Sequence, residues 1–186
     1  MDIEELRLTY DLNKDSVVID IGSYIGQFSQ KIYNRYKCRV FAFEPVNEYF
    51  VGSRNKLLKG LPVKVYNYGI GPESSKTTIC KSGDTSSMLN HTGNQEEITV
   101  KTIEEAMAEI GITGADLVKI NIEGIEYPLL DKWHKNGILT KFRDLQIQFH
   151  RTPGWENQIG DIRTKLAQTH VITYNHDMIW ENWRRK

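Results

Sequence analysis

Val17-Val18-Ile19-Asp20-Ile21-Gly22-Ser23-Tyr24-Ile25-Gly26 is the stretch that decides the fold. A continuous apolar run bounded by glycine reads as a strand buried on both faces, the kind that parallel sheets contain. Its one charged residue, Asp20, sits at the strand tip. Gly22 and Gly26 then flank a tight turn that leads directly into a helix with Phe28, Ile32 and Tyr36 on one face. Such a turn lets backbone approach a ligand closely, and the helix end favours an anionic group there.

Outward from this unit, strands and helices alternate almost to the end of the chain, which implies parallel strands joined by crossover helices. Arg39-Val40-Phe41-Ala42-Phe43-Glu44 is a second strand, stopped by Pro45, which suits the first turn of a helix running to about Lys59-Gly60. Residues 63–68 form a third strand, and Thr77-Thr78-Ile79-Cys80 and Glu97-Ile98-Thr99-Val100 could each add another around a polar loop. Thr102 and Glu105 fit a capping box ahead of a helical face of Ile103, Ala106, Met107 and Ile110, with Gly111 as its stop. Residues 117–122 are a fourth strand, a helix carrying Leu129, Leu130 and Trp133 follows, and residues 145–149 are a fifth. A last helix that Pro153 could open carries Ile159, Ile162 and Leu166. Residues 171–174 and 178–181 then flank the turn Asn175-His176-Asp177 as a C-terminal β-hairpin. At the two ends, Ile3, Leu6 and Leu8 make a short amphipathic opening, and Arg184-Arg185-Lys186 reads as a solvated tail.

The 186 residues fit a single domain, 1–186. Lys plus Arg and Asp plus Glu both total 24, so no global field draws in nucleic acid. No apolar run reaches the roughly 18 residues of a membrane span. The acidic opening Met1-Asp2-Ile3-Glu4-Glu5 lacks the plan of a signal peptide, so a cytoplasmic protein is expected. Cys38 and Cys80 have no zinc-finger spacing and read as reduced core thiols. His91, His134, His170 and His176 are scattered without metal spacing and no metal is assigned, although Asn121 and Glu123 could form a cation site.

A dinucleotide site wants a third glycine in the loop, whereas this one has two, with an acid two residues before the first. Asp20 can accept hydrogen bonds from a ligand's ammonium, directly or through water. Glu44, about twenty residues on at the tip of the second strand, is placed to bind both hydroxyls of a ribose. S-adenosyl-L-methionine carries both groups. The expected cofactor set is Asp20, Gly22, Ser23, Tyr24, Gly26, Glu44, Pro45, Gly69 and Asn121.

Three blocks, Val18-Ile19-Asp20-Ile21-Gly22 with Gly26, Phe41-Ala42-Phe43-Glu44-Pro45 and residues 117–126 (Leu-Val-Lys-Ile-Asn-Ile-Glu-Gly-Ile-Glu), together resemble the FkbM-type methyltransferases. The third block is the distinctive one. The resemblance implies a class I, Rossmann-like α/β fold: a seven-stranded, mostly parallel sheet of order 3-2-1-4-5-7-6 with helices on both faces and the last strand antiparallel. It implies S-adenosylmethionine bound over strands one to four, and transfer to hydroxyls of sugars, glycoconjugates or polyketide-like products. It also implies action beside, or fusion to, glycosyltransferases. Asn121 stands where the family usually has Asp and keeps hydrogen bonding without the charge.

Acceptor chemistry belongs at the carboxyl ends of strands four and five. Asn121, Glu123 and Glu126 follow strand four, and His150 follows strand five. His150, titrating near neutrality, is the expected base. Glu123 is a second candidate, either as base, as a polar group positioning the acceptor, or as a brace bonding Gly124. Lys119 must reach a solvated face or pair with an acid such as Glu126. Asp84-Thr85-Ser86-Ser87-Met88-Leu89 is either a loop near the ligand or an ordinary turn, and the four tryptophans read as core and edge packing.

Three other readings compete. A short-chain reductase needs a Tyr-x-x-x-Lys pair on a later helix, and here Tyr33 and Lys37 lie on the first. A non-catalytic binding or interaction module would account for Asn121 as a lost acid. A base methyltransferase would carry a Pro-Pro-aromatic loop where this chain has Asn121-Ile122-Glu123-Gly124.

Overall fold

The computed structural model describes residues 2–81, 94–176 and 180–186; the loop Asp84–Leu89, His91 and Asp177 of the hairpin turn lie outside them. The chain opens with α1 (Ile3–Leu8), β1 (Val17–Ile21), α2 (Gln27–Tyr36), β2 (Arg39–Phe43) and α3 (Asn47–Gly52). It continues through β3 (Lys64–Tyr66), β4 (Gly69–Ile70), β5 (Ser75–Lys81), β6 (Asn94–Lys101), α4 (Ile103–Ile110) and β7 (Ala115–Ile120). It closes with α5 (Glu126–Lys135), β8 (Phe142–Gln148), α6 (Trp155–Thr169), β9 (His170–His176) and β10 (Trp180–Arg185).

Seven strands pair in the order β3-β2-β1-β7-β8-β10-β9, with β10 antiparallel to both its neighbours. This is the expected arrangement, and the side-chain period of two sorts the residues onto two faces. Ile19, Ile21, Phe41, Phe43, Val118, Ile120, Leu145 and Ile147 face a core built with α4, α5 and α6. Val18, Val40 and Leu117 face the opposite way, onto Phe28 and Ile32 of α2 and onto Tyr10 and Leu12 of the N-terminal segment.

Local signals hold where short-range chemistry decides the structure. The capping box forms in full, with Glu105 N–H donating to Thr102 Oγ1 at 3.3 Å and Thr102 N–H to Glu105 Oε2 at 3.1 Å. Gly111 ends α4 at φ +72°.

Four expectations are corrected. The third strand breaks after Tyr66, and Gly69–Ile70 leaves for a separate three-stranded sheet, β4-β6-β5, in which the 77–80 and 97–100 strands are longer than expected and pair with each other. The helix after Pro45 starts two residues later, at Asn47, and finishes as a π-helical turn over Ser53–Leu57. Pro153 precedes α6, which is capped by Gly154 at φ +80°. Arg184 and Arg185 are strand residues and not a free tail, although Arg185 stays exposed: Arg184 Nε lies 2.9 Å from the fully buried Asp144 and Arg185 donates to the Thr140 carbonyl.

Candidate active site

Gly22 follows β1 with φ +74°, and a Cβ there would lie 1.9 Å from the backbone carbonyl oxygen of Asn121. The loops after β1 and β7 therefore touch backbone to backbone, fastened by Asn121 N–H to the Ile21 carbonyl at 3.1 Å. Gly22 and Ser23 N–H both donate to the Phe43 carbonyl at 3.1 Å, tying in the end of β2. Gly22→Ala is expected to cost about 3 kcal/mol, roughly 1 for the left-handed backbone and the remainder for overpacking. Gly60, at φ +78° with nothing within 4 Å of its would-be Cβ, isolates the backbone term. Gly60→Ala should cost only about 1 kcal/mol in the same urea titration, and equal losses would mean the close approach at Gly22 is not real.

A cavity of about 470 Å³ opens over these carboxyl ends. Gly22, Ser23, Tyr24, Glu44, Pro45, Gly69, Asn121 and Glu123 all line it, so eight of the predicted site residues share one space. Gly26 caps α2 from behind the loop at φ +88°, packed against Leu58. Ile70, Ile79, Ile98 and Val100 supply an apolar wall, and Tyr24 meets Tyr49 edge-on at 4.7 Å. Two non-glycine residues of the wall, Tyr24 and Glu123, hold positive φ values of 51° and 54°. Such strain concentrates at functional sites.

Glu44 is buried at the tip of β2, and each of its oxygens accepts one backbone N–H: Oε2 from Tyr24 at 2.7 Å and Oε1 from Val46 at 2.9 Å. Burial pushes its carboxyl up to about 7, against the opposing pull of those two donors and of Lys119. Each oxygen keeps further acceptor capacity, and Glu44 lines the cavity. Ser23 Oγ and Asn121 Oδ1 are buried with no partner among the described residues. Buried polar atoms are normally satisfied, so these two fit a ligand bearing an ammonium and hydroxyls.

Asp20 is not in the cavity wall. It is fully buried beneath it, where Ser29 Oγ donates at 2.7 Å and Lys119 Nζ lies 2.9 Å away. Lys119 also donates to the Gly22 carbonyl at 2.6 Å and does line the cavity. The sequence offers Lys119 either a solvated face or an acid partner such as Glu126. The β1–β7 register instead sets Lys119 directly opposite Asp20.

Glu126 is turned to the other side. Fully buried, it accepts from Gly124 N–H at 2.8 Å, from His150 N–H at 2.7 Å and from His150 Nδ1 at 2.9 Å. His150 Nε2 faces Glu123 Oε1 at 3.1 Å. Burial alone would lower the imidazole's pKa, but hydrogen bonds to Glu123 and Glu126 outweigh it and raise the group to about 9. His150 is therefore an imidazolium at neutral pH with both nitrogens engaged, which corrects the expectation of a free base. Glu123, which lines the cavity, is the outer member of a Glu123–His150–Glu126 chain.

Strand order, glycine turn and acidic tip together define a class I methyltransferase fold. Residues 20–175 match the methyltransferase FkbM domain, and the chain belongs to that family, whose methyl donor is S-adenosylmethionine. Among solved structures, an rRNA methylase from Streptococcus thermophilus superposes with a TM-score of 0.60 at 12% identity, covering 98% of this chain and 94% of that one. SMU.1697c from Streptococcus mutans, in complex with S-adenosylhomocysteine (SAH), gives 0.57 at 13% identity with 99% and 96% covered. TrmK from M. capricolum, also with SAH, gives 0.53 at 10% identity with 100% and 69% covered. At these identities the likeness is one of fold. None of the curated proteins compared matches the chain. No helix among the described residues is long and apolar enough to cross a membrane.

Proposed function

We propose that the protein methylates a hydroxyl oxygen of a sugar or glycoconjugate. The observation that carries this reading is the Glu123–His150–Glu126 chain opening into the cavity at the ends of β7 and β8. An attacking hydroxyl must give up its proton as the new C–O bond forms, and a positioned carboxylate can take it. Glu123 is held for that task by the imidazolium, which Glu126 in turn fixes in orientation. Bound S-adenosylmethionine supplies a methyl on a cationic sulfur that displacement leaves neutral. Glu44 accepts from the ribose hydroxyls, while Ser23 and Asn121 receive the amino-acid end. Asp20 acts through Lys119, which braces the Gly22 carbonyl.

An oxygen acceptor is favoured because the loop 121–124 carries neither the proline nor the aromatic that would flank a planar amine. The sugar class rests on the family likeness, which also fits action beside glycosyltransferases, and the zero net charge argues against a nucleic-acid substrate.

The test is transfer of label from methyl-tritiated S-adenosylmethionine onto a panel of oligosaccharides, with RNA and protein as parallel acceptors. Alkali-stable label on a glycan, reduced about 100-fold or more in kcat by Glu123→Gln with SAH binding intact, is the expected outcome. Label only on RNA or protein, or cofactor binding without transfer to any acceptor, would contradict it.

A further inference from the structure

We propose that Arg7 recognises the acceptor, and that the acceptor carries an anionic group, a carboxylate or phosphate, near the hydroxyl that is methylated. The proposal rests on the methyltransferase reading and deepens it.

The charges around α1 leave Arg7 over. Glu4 is paired with Lys31 and Glu5 with Arg35, which fastens α1 to α2. Arg7 Nε instead donates to a neutral amide, Gln146 Oε1 at 3.2 Å, and its guanidinium lies 3.6 Å over the ring of Trp180. Among the described residues no carboxylate stands within ion-pair distance of it. Burial lowers its pKa, outweighing the opposing pulls of Tyr174, Asp20, Tyr10 and Glu4, none of which is in ion-pair contact with it. An unpaired, half-buried charge is costly, and a planar guanidinium flat on an indole presents its fork to a carboxylate or phosphate.

Arg7 and Trp180 line the same cavity as Gly22, together with Lys31 and Gln148. The place of Trp180 in the sheet separates it, and the Arg7 guanidinium stacked on it, from the cofactor end. Trp180 on β10 pairs with Gln148 on β8, and β8 and β7 lie between β10 and β1. At about 4.8 Å per strand, β10 is roughly 14 Å from the strand that carries the glycine loop, on the side of Glu123 and His150. That is the acceptor's side. Trp180 offers a flat apolar floor and Gln148 an amide to a polyhydroxylated ligand.

The test loads the protein with SAH and titrates it with glucuronate, glucose 6-phosphate and neutral glucose by calorimetry. The anionic sugars should bind at least about tenfold more tightly than glucose. Arg7→Met should abolish the difference, and Arg7→Lys should retain part of it, with circular dichroism confirming that each variant folds. If Arg7→Met does not fold, the wild-type preference and its reduction in Arg7→Lys carry the test. Equal or absent binding of the charged and neutral sugars by SAH-loaded wild type would overturn the proposal. So would weakened SAH binding in Arg7→Met with 5′-methylthioadenosine unaffected, since the anion would then be the cofactor's own carboxylate. Wild type that binds no SAH would instead sink the underlying methyltransferase reading.

Discussion

Lys119→Met is expected to destabilise the fold by about 3–5 kcal/mol, although it replaces a charged strand residue by an apolar one of similar length. The reason is Asp20. Its carboxylate is fully buried, with Lys119 Nζ at 2.9 Å and the Ser29 hydroxyl at 2.7 Å as its partners. Removing the ammonium leaves a buried charge with one neutral donor, and also removes the donor to the Gly22 carbonyl. Asp20→Asn with Lys119→Met removes both charges and should recover much of the loss, because a buried pair stabilises little relative to an apolar replacement. Urea denaturation of the two single variants and the double variant gives the coupling. Additive losses would contradict a direct pair.

Glu126→Ala is expected to cost a similar 3–5 kcal/mol and to abolish transfer. The carboxylate satisfies three donors in a site closed to water: Gly124 N–H, His150 N–H and His150 Nδ1. Without it the imidazolium keeps only Glu123, and the loop that carries Glu123 at φ 54° loses the bond that holds Gly124. The same clamp fixes the sign of a pH effect. His150 is raised from about 6.5 to about 9 in the fold, so its stabilisation is fully present below pH 6.5 and is lost as pH rises through 9. Wild type should lose stability over that interval, and Glu126→Ala should show a shallower loss. An unchanged slope would mean Glu126 does not hold the imidazolium.

The succession of strands and helices and the cofactor loop were legible because both depend on short-range pattern: apolar runs, a glycine turn, and acids at strand tips; the strand order, which crossovers set, came from the resemblance to the FkbM-type family. Glu44 and Gly22 could be placed from spacing alone. Asp20 was located correctly at the end of its strand, but its partner depends on register between β1 and β7, nearly a hundred residues apart, which no local pattern records. His150 was found beside the cleft for the same short-range reason, whereas its protonation depends on Glu126 folding back across 24 residues of sequence. Arg7 and Trp180 went unnoticed as site residues. An arginine in a short amphipathic opening and a tryptophan in a hairpin look like surface and edge packing until the sheet brings them together. The break between β3 and β4 was hidden because residues 63–68 alternate like one strand while Gly69 belongs to another sheet.

The central claim is that Glu44 receives the ribose of S-adenosylmethionine in this cavity, and calorimetric titration with SAH at pH 6 and pH 8 tests it most directly. A carboxyl raised to about 7 must ionise to accept the hydroxyls, so wild type should bind about tenfold more tightly at pH 8 than at pH 6. Glu44→Gln should bind about 1–3 kcal/mol more weakly at pH 8 and lose that pH dependence. A folded wild-type protein that binds no SAH, or a Glu44→Gln variant that matches wild type at both pH values, would contradict the account.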